Sequence, residues 1–261
     1  MRNIIAHHSA GLACGIRPGL LGLAATLLLQ LTVIAGPPFQ TDDPAPLPLH
    51  TGEFYLFATG TRAAGETDLD AGPGVELNYS AFRNTFFHLV VPLASSHPFG
   101  EPSAYGLGDI ETGFKWRFLQ QSRSLLDVGI FPFLELPTGD EMRGLGNGKP
   151  QVLLPLWLGK DSEAWTVYGG AGYWINPGTG NRNWWFTGLV VQRQITQRLY
   201  LGSELYHQTP DTQGGSSGTG FDVGGGLTLA GPYQVLFSAG RNIQDPVDNR
   251  FSFYAALYRT F

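Results

Sequence analysis

From residue 52 to the end of the chain, apolar and polar side chains take alternate places over stretches of about ten residues, the period of an extended strand whose two faces meet different surroundings. The clearest stretch is 106–119. Ile110, Thr112, Phe114, Trp116 and Phe118 fall on one face, and Asp109, Glu111, Gly113, Lys115 and Arg117 on the other. Val75, Leu77 and Tyr79 likewise oppose Glu76, Asn78 and Ser80. Leu126, Val128, Ile130, Leu134 and Leu136 oppose Asp127, Gly129 and Glu135. The same rule places strands near 52–62, 86–95, 151–160, 164–175, 183–193, 198–208, 219–229, 232–241 and 250–261, giving about twelve strands, an even number as in single-chain outer-membrane barrels.

The connections carry a second regularity. Short turns such as Arg83-Asn84-Thr85, Lys160-Asp161-Ser162 and Ala230-Gly231-Pro232 alternate with longer Gly- and Pro-rich loops near 63–70, 96–105, 137–150, 176–183, 209–218 and 242–250. A membrane barrel has short periplasmic turns and long outer loops, whereas a two-layer sandwich has no reason for the alternation. Ahead of the strands, Arg2 and Arg17 precede an apolar run from Leu20 to Ala35, with Val33 and Ala35 at the small-residue positions of a cleavage site. That run is shorter than the ~20 residues of a spanning helix. The expected organisation is a signal peptide over 1–35, a periplasmic N-terminal segment over 36–50, and an all-β, transmembrane, antiparallel up-and-down β-barrel over 51–261. Trp165, Tyr173, Trp174, Trp184, Trp185, Tyr233 and Tyr258 cluster toward strand ends and are expected as interfacial girdles, with cross-strand packing the other reading. Arg259 sits awkwardly in an apolar final strand.

Composition agrees with this expectation. Charged residues make up 14% of the chain, against roughly 25% in soluble domains, while aromatics reach 13% and glycines number 36. The formal charge of −5 would become −7 if Arg2 and Arg17 left with the leader, which disfavours nucleic acid as a partner. The single cysteine, Cys14, lies in the expected leader and precedes its apolar run, so neither a lipid anchor nor thiol chemistry in the mature chain is expected.

Candidate chemistry concentrates on the inward faces. Glu76, Asp109, Glu111, Lys115, Arg117, Glu135, Glu204 and Asp222 put both signs of charge there, and burial requires them to pair or stay wet. Phe131, Phe133, Leu153 and Trp157 face the same way, so the interior is expected either as a pore, partly apolar, or as a space packed shut by its rings. Catalytic motifs fail on context. Gly214-Gly215-Ser216-Ser217-Gly218 lies in a flexible loop instead of a strand-to-helix elbow. In 143–150, Arg143 and Pro150 replace residues that a phosphate loop requires. Ser203 and His207 share a strand face but stand roughly 13 Å apart. Glu66, Asp68 and Asp70 alternate in the first long loop without the closing Glu of a calcium loop, since Leu77 stands in its place. His50, His88, His97 and His207 are scattered, and no catalytic residue, metal or cofactor is assigned.

Several longer strings carry a resemblance: GPPFQTDDP at 36–44, GLGDIE at 106–111, ELPTGDEMRGLGNGKPQ at 135–151, YGGAGYWINPG at 168–178 and GNRNWW at 180–185. Together they resemble the transporter-like family named for a meta-pathway of phenol degradation, over nearly the whole chain after the leader. The resemblance implies an outer-membrane barrel associated with transport of small solutes, aromatic or apolar ones included, and supplies no catalytic residues. Its expected partners are outer-membrane lipid, a small-molecule solute, and the barrel-assembly machinery, engaged through the C-terminal strand ending at Phe261. Two competing functions are an outer-membrane enzyme acting on lipid, and a structural barrel whose extracellular loops bind partners.

Overall fold

Alternation of this kind folds into fourteen strand segments among the described residues. They are β1 (Gly52–Arg62), β2 (Asp70–Phe82), β3 (Thr85–Ser96), β4 (Ala104–Leu107), β5 (Ile110–Leu119), β6 (Asp127–Ile130), β7 (Phe133–Leu136), β8 (Gln151–Asp161), β9 (Trp165–Ile175), β10 (Trp184–Gln194), β11 (Leu199–Gln208), β12 (Gly218–Thr228), β13 (Tyr233–Gln244) and β14 (Phe251–Thr260). The computed structural model describes residues 37–62, 70–96, 102–245 and 249–261. The expected leader, Glu66, Asp68 and His97 lie outside them.

Chain neighbours pair antiparallel throughout. Segments β4 and β5 form one line beside β3, broken at Gly108 and Asp109. Segments β6 and β7 form another between β5 and β8. The second break falls at Pro132, which has no N–H to give the ladder; its carbonyl still accepts from Phe114 N at 3.2 Å. Fourteen segments therefore make twelve staves. The last stave returns to the first: β14 pairs with β1 from Glu53↔Thr260 to Arg62↔Phe251. Gly52 and Phe261 also exchange backbone hydrogen bonds of 2.8 and 2.9 Å, and the sheet closes on itself.

Outward positions are apolar and exposed along every wall. Phe54, Leu56, Leu77, Phe114, Trp116, Leu154, Leu189, Leu205, Val223 and Leu257 all point away from the interior. Such a belt is a liability in water and suits hydrocarbon. Rings mark its two rims. Phe82, Phe118, Trp165 and Tyr233 lie toward the short turns, and Tyr105, Trp185 and Phe251 toward the long loops. At the short-turn rim the guanidinium of Arg193 lies 5.1 Å from the Trp165 ring centre, and that of Arg259 lies 5.6 Å from Tyr233. Arg259 is thus a rim residue whose charge rests on a neighbouring ring, and its place in the last strand is accounted for. The girdle expectation needs correcting at three positions. Trp174 and Trp184 stack on each other at 5.3 Å and pack on the interior cluster, and Tyr258 is buried with its hydroxyl on Glu53. Strand parity decides this, because a ring near a strand end still takes the side its position dictates.

The segment expected ahead of the barrel runs inside it. Ser238 Oγ donates to Pro38 O, Gln40 and Thr41 reach Glu204, Asp42 and Asp43 reach Lys115, and Ser80 Oγ donates to Leu47 O. These partners sit on β13, β11, β5 and β2, so residues 38–47 cross the lumen from one wall to the other. The wall is cut back to admit them. A Cβ on Gly188 would collide with the Thr41 hydroxyl; one on Gly129 or Gly159 would press on Pro44, and one on Gly202 on Phe39. All four glycines occupy inward positions, where the segment comes closest.

Gly188→Val should therefore expel the segment while the wall stays closed. With Thr41→Cys as reporter, a water-soluble maleimide should label the Gly188→Val protein much faster than the parent, at unchanged far-UV circular dichroism. Equal labelling rates would show that the contact does not hold the segment in place.

Candidate functional site

Among the described residues, buried polar side chains gather in the lumen, and the inserted segment adds Gln40, Thr41, Asp42 and Asp43 to those of the wall. Lys115, on the inward face of β5, is 2% exposed, with Nζ 2.7 Å from Asp42 Oδ1 and 3.2 Å from Asp43 Oδ2. The same ammonium lies 5.1 Å from the Phe86 ring centre and 5.2 Å from that of Phe131. Two carboxylates and two ring faces replace the water this cation has lost. On the far wall, Glu204 accepts from Gln40 N at 2.9 Å, from Thr41 N at 2.7 Å and from the Thr41 hydroxyl at 2.5 Å. Gln40 Nε2 donates to Asp222 at 3.2 Å. The segment is thus pinned by a cation on one side and carboxylates on the other.

A second network lies along β1, β2, β3 and β5. His88 contacts Asn78 Oδ1 and Glu111 Oε1, both at 2.7 Å, and Glu76 stands 3.5 Å from its Nδ1. Asn78 Nδ2 donates to Glu76 at 2.8 Å, and the Tyr55 and Tyr258 hydroxyls donate to Glu53 at 3.0 and 2.7 Å. Side chains with nothing but a dry wall behind them must satisfy each other, and these do.

Other expected lumen residues are placed as follows. Arg117 is only loosely paired with Asp127, at 3.4 Å, and its Nη2 donates to Asn84 at 3.3 Å near a short turn. Glu135 stands directly across from Glu111 and accepts from Asn147. Asp109 sits at the break between β4 and β5, where its carboxylate accepts from Gly139 N at 2.8 Å and Asn147 N at 2.6 Å. It anchors the 137–150 loop, so its oxygens are engaged by backbone rather than presented to a solute. Phe131 packs edge-on to Phe86 and Phe133, and Phe133 edge-on to Trp174. Leu153 and Trp157 are buried, the latter edge-on to Phe186. Together these rings line the lumen over β3, β7, β8, β9 and β10.

The opposite side, over β11 to β14 and β1, is polar toward the long loops, while toward the short turns Tyr55, Phe57, Tyr200, Leu236, Ala256 and Tyr258 form a buried apolar cluster. A cavity of about 380 Å³ there is bordered by Gln40, Thr59, Thr61, Gln208, Asp222, Ser238, Asn242, Asn249 and Ser252, with Tyr206 and Tyr254 among its walls. Sequence reasoning missed this chamber and the Glu53, Asn78 and His88 network. In β1 both faces are apolar, Phe54 and Leu56 against Tyr55 and Phe57, so alternation does not reveal which face turns inward. His207 contacts the Thr219 hydroxyl at 2.8 Å, not Ser203, and lies on the outer face. Among the described residues no three His, Cys, Asp or Glu side chains gather as a metal site.

A family model matches residues 38–260 and is described as "Putative MetA-pathway of phenol degradation". The chain belongs to this family. Its shape is similar to an outer membrane channel from Pseudomonas putida F1, with 16% identity, a TM-score of 0.66, and coverage of 84% of this chain and 98% of that one. The translocator domain of the autotransporter NalP from Neisseria meningitidis is a looser likeness, at 8% identity and a TM-score of 0.45, covering 82% of this chain and 88% of that one. No curated protein matches the sequence. The family member described here thus has the twelve-stave fold of an outer-membrane channel, with its own residues filling the lumen.

Lys115→Met leaves Asp42 and Asp43 buried without a cation, a change that typically costs about 3–5 kcal/mol. The urea midpoint in detergent should fall. Adding Asp42→Asn and Asp43→Asn should restore most of the loss, because a neutral set no longer needs the ammonium. A triple variant as weak as Lys115→Met would mean that packing, not charge, holds this part of the lumen.

Proposed function

We propose that the protein is an outer-membrane channel that passes small solutes with an aromatic or otherwise apolar part, through a lumen narrowed by residues 38–47. The observation that carries this reading is the division of the interior. A ring-lined side, from Trp174 and Trp184 down to Phe86 and Trp157, faces amides and hydroxyls at the long-loop end, below which Tyr55, Phe57, Tyr200 and Leu236 close in as an apolar cluster. A solute with an apolar face and a polar edge finds contact area on the first and hydrogen bonds on the second. The exposed apolar belt and its aromatic rims support residence in the outer membrane, with lipid as the surrounding partner. The last strand, closing on β1 and followed by Phe261, is the segment through which assembly machinery would engage the chain. The description of the Pseudomonas putida structure as a channel supports the same reading.

The full chain in planar bilayers should give small conductance steps, and deletion of residues 37–48 should give larger ones from a barrel that still folds. In proteoliposomes, phenyl glucoside, which has an apolar ring and a polar edge and crosses lipid slowly, should enter faster than in protein-free vesicles. Absence of conductance from both chains, together with unchanged solute entry, would overturn the channel reading.

A further inference from the structure

The polar chamber has a composition that selects. Its described lining carries one carboxylate, Asp222, and no lysine or arginine; the rest of its polar surface is amide and hydroxyl. Asp222 is already held by Gln40 Nε2 at 3.2 Å. An anionic solute would meet a like charge with no cation to offset it, so the lining disfavours anions. Neutral hydroxyls suit it, because each amide offers two donors and an acceptor and each hydroxyl can do either.

Part of that capacity is unspent. Asn249 uses Nδ2 on the Tyr206 hydroxyl and on Ser252 Oγ, both at 3.1 Å, but its Oδ1 has no partner among the described residues. The Tyr254 hydroxyl, on the neighbouring wall, has none either. Buried polar groups are seldom left so, and both belong to residues that border the cavity, where a side-chain rotation would turn them toward a ligand's hydroxyls. Tyr254 and Tyr206 also present rings against which a flat solute face can lie. At about 380 Å³ the chamber falls within the roughly 300–1,000 Å³ of small-molecule sites. Thr61 and Gln208 stand toward the long-loop mouth, and Gln40, from the inserted segment, forms part of the inner limit.

We propose that this chamber is a binding site for a neutral, hydroxyl-bearing ring solute of about monosaccharide size, held at the long-loop end of the lumen before passage. The inference rests on the channel reading and deepens it by naming the chemistry that the entrance recognises. Amides and hydroxyls read the solute's hydroxyls, and the carboxylate turns anions away.

The test uses the full chain in detergent, with glucose as the neutral probe, gluconate as an anion of similar size and toluene as a ring without hydroxyls. Saturation-transfer NMR should show saturable glucose binding, with gluconate about tenfold weaker or worse. Gln208→Leu and Thr61→Val remove polar groups from the chamber while keeping similar bulk, and should each weaken glucose binding by about fivefold to tenfold. Toluene binding should not respond to either change. Gluconate binding as tight as glucose, glucose binding unaltered in both folded variants, or no saturation at all would overturn the proposal. Solute entry into proteoliposomes is measured in parallel. Entry without saturable glucose binding sinks the chamber alone, whereas loss of all entry and conductance sinks the channel with it.

Discussion

Hydrocarbon offers no hydrogen bonds, so a sheet surrounded by it must pair every backbone N–H and C=O with itself. This constraint governs the molecule. It requires β14 to return to β1, and it explains why that seam runs unbroken from Glu53↔Thr260 to Arg62↔Phe251. It also explains where irregularity is tolerated. The breaks at Gly108 and Pro132 are repaired locally, by Gly108 N on Pro92 O and by Phe114 N on Pro132 O, so the wall bends without opening. Once the sheet is closed, the period of two assigns each side chain to oil or to the lumen, and the sequence has no third choice to offer.

Closure creates a problem inside. Twelve staves enclose more space than the inward side chains of the polar half can fill, and several of those side chains are carboxylates. The segment before β1 answers both needs. It brings backbone N–H groups to Glu204, two carboxylates to Lys115, and bulk to the space left by four inward glycines. Segment and wall are complementary in the sense used for interfaces: neither Lys115 nor the Asp42–Asp43 pair would be tolerable in its position without the other. The narrowing of the lumen follows from this complementarity and is a property of chain and wall together.

The wall was legible in the residues because it obeys a single rule repeated twelve times. In β5 the faces differ sharply, Phe114 and Trp116 against Lys115, and parity read from the chain agrees with the side each residue takes. The rule blurs where both faces are aromatic. Trp174, Trp184 and Tyr258 look like rim residues by position along their strands, yet their parity turns them inward. What the pattern could not reveal is contact across the lumen. Nothing local to Asp42 or Asp43 says that Lys115, more than seventy residues on, will be their partner, and a short stretch rich in proline and acid reads equally well as a solvated leader to the barrel. Asp109 illustrates the same limit, since strand alternation places it on the inward side while the turn at Gly108 hands its oxygens to a loop.

The two halves of the lumen then follow from how the staves differ in sequence. Strands β7 to β10 carry inward rings, Phe133, Trp157, Trp174, Trp184 and Phe186, which pack on one another and leave little need for hydrogen-bond partners. Strands β11 to β13 carry inward glycines and short polar residues, among them Gly220, Gly224, Ser238 and Asn242, which fill less volume than rings, while toward the short turns Tyr200 and Leu236 pack with Tyr55 and Tyr258. A cavity therefore forms on the polar side and close packing on the aromatic side, from differences in side-chain volume alone. Because the inserted segment crosses from one half to the other, with Gln40 at the polar chamber and Leu47 in the aromatic cluster, any solute that displaces it must exchange contacts of both kinds. On the proposed channel reading, selectivity comes from matching both surfaces at once, which a purely apolar or a purely ionic solute does not do.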